Sequence, residues 1–118
     1  MTTRAGPTAK AWAFTDVDGR IESASLAVGV IFGVGRLRRG DDLLNVIPLL
    51  RKALLFDIEA ALDGWPSSRT LSLQAPGLRQ RRIRYRVSRR FQETGIGLFW
   101  LIEDSSPGGH EFCRECGQ

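Results

Sequence analysis

Two patterns typical of β-strands precede a block of helical patterns, and three further strand patterns follow that block. The first two flank Asp18-Gly19, a dipeptide that favours a tight hairpin turn because glycine accepts a positive φ. Strands grouped on either side of a helical block indicate an α+β fold with an antiparallel sheet. We therefore predict one domain over residues 10–104, with residues 1–9 as a flexible arm and residues 105–118 as a tail.

The helical block contains one long helix, predicted over Pro48–Asp63. Gly64 follows at the position where helices commonly end in a left-handed residue. Apolar residues recur three or four positions apart and predict a single buried face, whereas the charged residues are expected to lie off it. The buried face comprises Leu50, Leu54, Ile58 and Ala61, and the charged set comprises Arg51, Lys52, Asp57 and Glu59.

The three later strand patterns differ in polarity. Arg69–Gln74 alternates polar and apolar residues, and Gln80–Phe91 does so over a longer stretch. Ile96–Ile102 is apolar on both faces, which predicts a central strand that is covered on both sides.

Composition is that of an ordinary soluble domain, with 118 residues, 42% hydrophobic and 25% charged. No apolar run reaches the ~18 residues that a membrane span needs, and the N-terminus has no apolar core of a secretory signal. We therefore expect a cytoplasmic chain without membrane contact. The net charge of +4 permits an anionic partner without requiring one.

The order of these elements resembles the PAS family of bacterial sensory and regulatory proteins. The resemblance is carried by FTDVDGRIESAS in the first hairpin, Ile31-Phe32-Gly33, Gly40 before LLNVIP, the long helix, and GLFWLIED at the end. It implies a five-stranded antiparallel sheet in the order 2-1-5-4-3, with short helices and one longer helix on one face. It also implies a signal-transduction module that acts through dimerisation or through contact with an effector protein.

The residues also depart from the cofactor-binding members of that family. Haem-binding members use a helix histidine, and flavin photosensors use a cysteine after the first hairpin. Here the only histidine, His110, and both cysteines lie in the tail, so we expect neither histidine-ligated haem nor flavin–cysteine chemistry. His110, Cys113 and Cys116 have spacing that suits zinc, although a fourth ligand is missing; a tail without function is the alternative.

Three surfaces are candidates for binding. A small-molecule pocket between the long helix and the sheet would be lined by Leu54, Ile58, Tyr85 and Phe99, unless these residues form a filled core. The aromatic residues of the central strands would leave a patch on the other face that a second copy or an effector covers. We assign that interface to Trp12, Phe14 and Trp100.

The third surface is a row of arginines. Arg82, Arg84 and Arg86 alternate along one strand, which predicts that they share one solvent face about 7 Å apart. This row could bind an acidic partner or nucleic acid, or it could pair with acidic side chains on neighbouring strands. Nucleic acid is not favoured because no aromatic residues are interleaved with the row for stacking on bases.

Sets of catalytic residues are missing from the sequence. The lone histidine lies in the tail, so no Ser/His/Asp set is expected, and no glycine-rich phosphate loop is present. Asp16 and Asp18 are explained as turn residues. We therefore predict that the chain is not an enzyme.

Overall fold

Five strands and two α-helices make up the part of the chain that the computed structural model describes, residues 9–74 and 80–104. A 3₁₀ turn lies between the two helices, at Leu43–Asn45. In chain order the elements are β1 (Ala9–Thr15), β2 (Ile21–Ala24), α1 (Leu26–Phe32), α2 (Arg51–Leu62), β3 (Ser67–Gln74), β4 (Gln80–Gln92) and β5 (Gly95–Asp104).

The strands form one sheet in the spatial order β2-β1-β5-β4-β3, and every neighbouring pair is antiparallel. This confirms the predicted α+β fold and its strand order. Strand β5 lies at the centre, as its apolar sequence indicated, and pairs with β1 on one side and β4 on the other. The helices lie on one face, with α1 against β1 and α2 against β3, β4 and β5.

The first hairpin is closed by the side chain of Asp16. Its Oδ1 atom accepts hydrogen bonds from the backbone nitrogens of Asp18 and Arg20, both at 2.9 Å. Gly19 has φ of +90°, and a Cβ atom there would lie 2.7 Å from Cγ of Leu44. Glycine is therefore required both by the backbone conformation and by the close approach of the 3₁₀ turn.

The long helix begins later than predicted, at Arg51 and not at Pro48. Leu50 is extended, with ψ of 134°, and its carbonyl accepts the first backbone bonds of the helix, so it occupies the N-cap. Its side chain is 78% exposed and was wrongly assigned to the buried face. Asp57, which was assigned to the solvent face, is 1% exposed.

The core lies between the helices and the sheet. Its largest fully buried side chains include Trp100, Tyr85, Leu54 and Ile83. Neither described helix is long and apolar enough to cross a membrane.

Candidate functional site

A buried carboxylate joins α2 to the sheet. Arg69 donates to Asp57 through Nε at 2.8 Å to Oδ2 and through Nη2 at 2.9 Å to Oδ1. The hydroxyl of Ser67 donates to Oδ1 at 3.0 Å, and the hydroxyl of Tyr85 donates to Oδ2. We call Asp57, Ser67, Arg69 and Tyr85 the Asp57 network; it links α2 to both β3 and β4.

The network favours one protonation state for each member. Burial acts to raise the pKa of Asp57, but the hydrogen bonds from Arg69, Tyr85 and Ser67 outweigh it and hold that pKa below its ordinary value of 3.8. Burial, followed by the hydrogen bond to Asp57, raises the pKa of the Tyr85 phenol. The carboxylate is therefore charged and the phenol neutral at physiological pH.

This arrangement suits a fixed contact and not proton transfer. A carboxylate has about four lone-pair sites, and four donors already occupy those of Asp57. A general base needs a free acceptor that faces the reacting proton. The Asp57 network therefore has the chemistry of a structural tie between helix and sheet.

The predicted pocket residues do not all share one side of the sheet. Leu54, Ile58 and Tyr85 lie together in the core, at 0%, 4% and 0% exposure. Phe99 was wrongly placed with them, because it packs against Phe14 on the opposite face with ring centroids 5.2 Å apart. Ligand binding by the three core residues stays a prediction.

Aromatic side chains cluster on the face of the sheet away from the helices. Trp12 lies 5.3 Å from Phe14 between ring centroids, and Phe14 continues the contact to Phe99 on β5. Leu101 stands opposite Trp12 in the register of β1 and β5. We call Trp12, Phe14, Phe99 and Leu101 the outer aromatic patch. Trp12 is 40% exposed, and the other three are half-buried.

Trp100 does not belong to this patch, which corrects the predicted interface. It is fully buried on the helix side, where its Nε1 donates to Oγ1 of Thr15 at 2.9 Å. Its strand partner on β1 is Ala13, whose small side chain leaves room for the indole in the core. Because side chains alternate along a strand, Phe99 takes the outward position that Trp100 was expected to fill.

An arginine covers one edge of the outer aromatic patch. The guanidinium carbon of Arg90 lies 4.1 Å from the ring centroid of Phe14, and Nη2 donates to Glu22 at 2.8 Å. Such stacking of a cation on a ring stabilises an otherwise exposed aromatic face. Within the described residues the buried Nε of Arg90 has no hydrogen-bond partner.

The predicted arginine row is exposed on the same outer face. Arg84 donates to Glu103 at 2.8 Å, and Lys10 approaches the same carboxylate at 3.7 Å. The hydrogen bond from Arg84 outweighs burial and lowers the pKa of Glu103 below its ordinary value. Arg82 also has a partner. Arg86 lies opposite Leu101 in the register, beside the outer aromatic patch.

Sequence reasoning missed Asp57 and Arg69. The missed signal was helical spacing, since Asp57 lies three residues after Leu54 and four before Ala61, on the stripe that both define. The predicted zinc ligands His110, Cys113 and Cys116 lie outside the described residues, as do residues 1–8 of the predicted arm.

Comparison with solved structures finds the same fold in several proteins. A domain of an HTR-like protein from Haloarcula marismortui matches with a TM-score of 0.60 at 13% identity, covering 82% of this chain and 98% of that one. A PAS domain from Desulfitobacterium hafniense matches at 0.57 and 17% identity, covering 80% and 92%. A sensory box sensor histidine kinase from Vibrio cholerae matches at 0.58 and 15% identity, covering 83% and 82%.

No protein-family model and no curated protein matches the chain. The structural likeness therefore supports the fold alone. It agrees with the strand order, the position of the helices and the length of the domain. By these criteria, this chain has the PAS-like fold that its sequence predicted.

Proposed function

We propose that this chain is a signal-transduction module that works through protein–protein contact, with the outer aromatic patch as its contact surface and a second copy of the chain as the first partner. The proposal combines a PAS-like fold, which domains of a sensor histidine kinase and other proteins share, with a surface that this chain itself carries. The fold likeness supports the class of function, and the outer aromatic patch is the surface through which the chain would contact its partner.

The outer aromatic patch carries the proposal. Trp12 keeps 40% of its surface exposed on a sheet face that also carries Phe14, Phe99 and Leu101. Contiguous exposed apolar surface is uncommon in soluble monomers and marks interaction sites, where tryptophan is enriched at the energetic centre. Around the patch, Arg90, Arg86 and Glu103 provide the polar rim that such interfaces have.

A binding role is also favoured by what the buried polar groups do. The Asp57 network saturates the buried carboxylate, so it offers no acceptor to a substrate proton. The arginine row is not favoured as a nucleic-acid surface, because Arg84 is paired with Glu103, which also attracts Lys10. We therefore propose a non-catalytic module.

Sedimentation velocity over a wide concentration range tests this proposal. Trp12→Glu places a charge on the most exposed member of the patch and is expected to shift the chain from dimer to monomer. Phe56→Glu is the matched control, because Phe56 is an aromatic residue that is even more exposed, at 66%, and lies on α2. The control is expected to dimerise as the unmodified chain does.

Two results would contradict the homodimer. One is an unmodified chain that stays monomeric at the highest concentration reached. The other is a dimer that Phe56→Glu disrupts as strongly as Trp12→Glu, which would place the contact on the helices. A monomeric chain whose effector contact is lost in Trp12→Glu would instead support the effector form of the proposal.

A further inference from the structure

A second surface lies beside β2, the neighbour of strand β1 that carries part of the outer aromatic patch. A groove of about 700 Å³ separates β2 and the start of α1 from the loop that follows α1. We call it the arginine groove. Its lining comprises Ile21, Ser23, Ala24, Ser25, Leu26, Arg36, Leu37, Arg38 and Arg39.

The charge of this groove has one sign. Three of the nine lining residues are arginines and none is acidic. Arg36, Arg38 and Arg39 are exposed, and within residues 9–74 and 80–104 their guanidinium groups have no ion pair or hydrogen bond. Three neighbouring cations without counter-charges repel one another, and an anionic partner would relieve that repulsion.

Nearby carboxylates are engaged elsewhere. Oδ2 of Asp41 accepts from the backbone nitrogen of Arg38 at 2.7 Å, which fixes the turn and leaves the Arg38 side chain free. Asp42 pairs with Arg51 at 2.9 Å, and Glu22 pairs with Arg90 at 2.8 Å. None of these three carboxylates forms a described ion pair with an arginine of the groove.

The loop that carries the groove's arginines, residues 33–41, is called the arginine loop and is held in place at both ends. At its start, the helix packs so closely on the loop that a Cβ atom on Gly29 would lie 1.6 Å from the carbonyl oxygen of Gly35. At its end, Gly40 donates to the carbonyl of Ile21 at 2.7 Å, and Ile21 donates to Asp41 at 2.8 Å. A loop fixed in this way loses little conformational entropy when a ligand binds.

Strand β2 gives the groove an extended wall. It is the edge strand of the sheet, next to β1 only. Both backbone bonds described between residues 36–41 and β2 involve Ile21, and beyond that residue the groove opens. Leu26, 66% exposed, adds an apolar contact at the far end. Edge strands bind extended peptides, whose alternating side chains provide specificity.

We propose that the arginine groove binds an extended acidic peptide segment of another protein, which lies along β2 and places carboxylates on Arg36, Arg38 and Arg39. Charge complementarity requires an anion, and a volume of about 700 Å³ with a strand along one wall favours a chain over a small ion. Nucleic acid fits less well, because no aromatic residue lines the groove for base stacking. This site lies outside the outer aromatic patch and extends beyond the proposed function.

Fluorescence anisotropy with a labelled peptide of alternating glutamate and valine tests the proposal. The unmodified chain is expected to bind it saturably, with an affinity that falls as salt rises. Arg36→Ala/Arg39→Ala is expected to weaken binding roughly tenfold, since two charge-assisted contacts are lost. Arg36→Gln/Arg39→Gln should behave alike while keeping long polar side chains, and unchanged circular dichroism would confirm that both variants fold.

Lys52→Glu is the matched control. It lowers the net charge from +4 to +2, as the double variant does, but at an exposed position on α2 away from the groove. Peptide binding should be unchanged in this control, and Arg36→Ala/Arg39→Ala should sediment as the unmodified chain does, which keeps the outcome separate from that of the proposed function.

Four results would overturn the proposal. The first is failure of the unmodified chain to bind the peptide. The second is an equal loss of binding in Lys52→Glu, which would show unspecific charge attraction, and the third is equal binding of a peptide with alternate backbone nitrogens methylated, which would exclude strand addition. The fourth is displacement of the peptide by inorganic pyrophosphate or single-stranded DNA at comparable concentration, which would identify a phosphate site.

Discussion

Substitution of Asp57 by alanine tests the Asp57 network most directly. The substitution leaves the Tyr85 hydroxyl without its acceptor in a residue with 0% exposure. An unsatisfied buried hydroxyl costs about 1–3 kcal/mol. The Arg69 side chain is 35% exposed, so water can solvate it and loss of the ion pair adds only about 1 kcal/mol.

Together these effects lower the free energy of unfolding by about 2–4 kcal/mol. For a domain of about a hundred residues, 1 kcal/mol corresponds to about 5 °C, so the melting temperature should fall by roughly 10–20 °C. Urea unfolding followed by circular dichroism and by tryptophan fluorescence measures the free energy of unfolding, and a thermal melt measures the melting temperature. Glu59→Ala on the exposed side of α2 is the control, and a change below about 0.5 kcal/mol is expected.

The pH dependence provides a second measure of the same network. Because the folded-state pKa of Asp57 lies below 3.8, its charge stabilises the fold fully above that value. The contribution is lost as the pH falls through the folded-state pKa. The stability difference between the unmodified chain and Asp57→Ala should therefore shrink in acid. A constant difference, or an Asp57→Ala variant as stable as Glu59→Ala, would contradict a stabilising role for the Asp57 carboxylate.

Two further substitutions probe neighbouring contacts. Tyr85→Phe should cost about 1 kcal/mol at neutral pH. Because the folded-state pKa of Tyr85 is raised above 10.0, the unmodified chain should lose stability as the pH rises beyond that value, and the variant should lose less. Urea unfolding at several pH values measures this, and an equal loss of unfolding free energy in the two chains would contradict it. Gly29→Ala should displace the arginine loop and destabilise the fold by about 1–3 kcal/mol, with exposed Val30→Ala as control. Equal thermal melts would contradict it.

The sequence predicted the architecture because its local signals were independent and agreed. Asp18-Gly19 specified the hairpin, alternation specified β3 and β4, and the doubly apolar stretch specified the central position of β5. Each signal has its own physical cause in backbone conformation or in burial. These signals, taken in their order along the chain, therefore indicated the fold more strongly than any single motif did.

The same signals could not decide which aromatic residues face outward. In β5 both faces are apolar, so the polar alternation that assigns parity is missing around Phe99 and Trp100. Parity follows from pairing with β1, where Ala13 faces the core and Phe14 faces outward. The large side chain of Trp100 fills the core because it lies opposite the small side chain of Ala13. This pairing joins two strands, so the pattern of one strand alone cannot reveal it.

Asp57 was missed for a different reason. A carboxylate within an apolar helical pattern is assigned to the solvent face unless its hydrogen-bond donors are known. Here those donors come from β3 and β4. Burial of an ion pair is costly alone and becomes tolerable when every lone pair is satisfied. Helical spacing could have placed Asp57 inward, but only the fold supplies Arg69 and Tyr85.

Ser25 connects the two proposed binding surfaces. It lines the arginine groove and stands at the N-cap of α1. Its backbone nitrogen donates to the carbonyl of Trp12 at 2.9 Å, and its hydroxyl accepts from the backbone nitrogen of Trp12 at 3.1 Å. A peptide along β2 would therefore act one hydrogen-bonded pair away from the most exposed member of the outer aromatic patch. Any resulting coupling must be reciprocal, so a partner on the patch would change peptide affinity by the same factor as the peptide changes partner affinity.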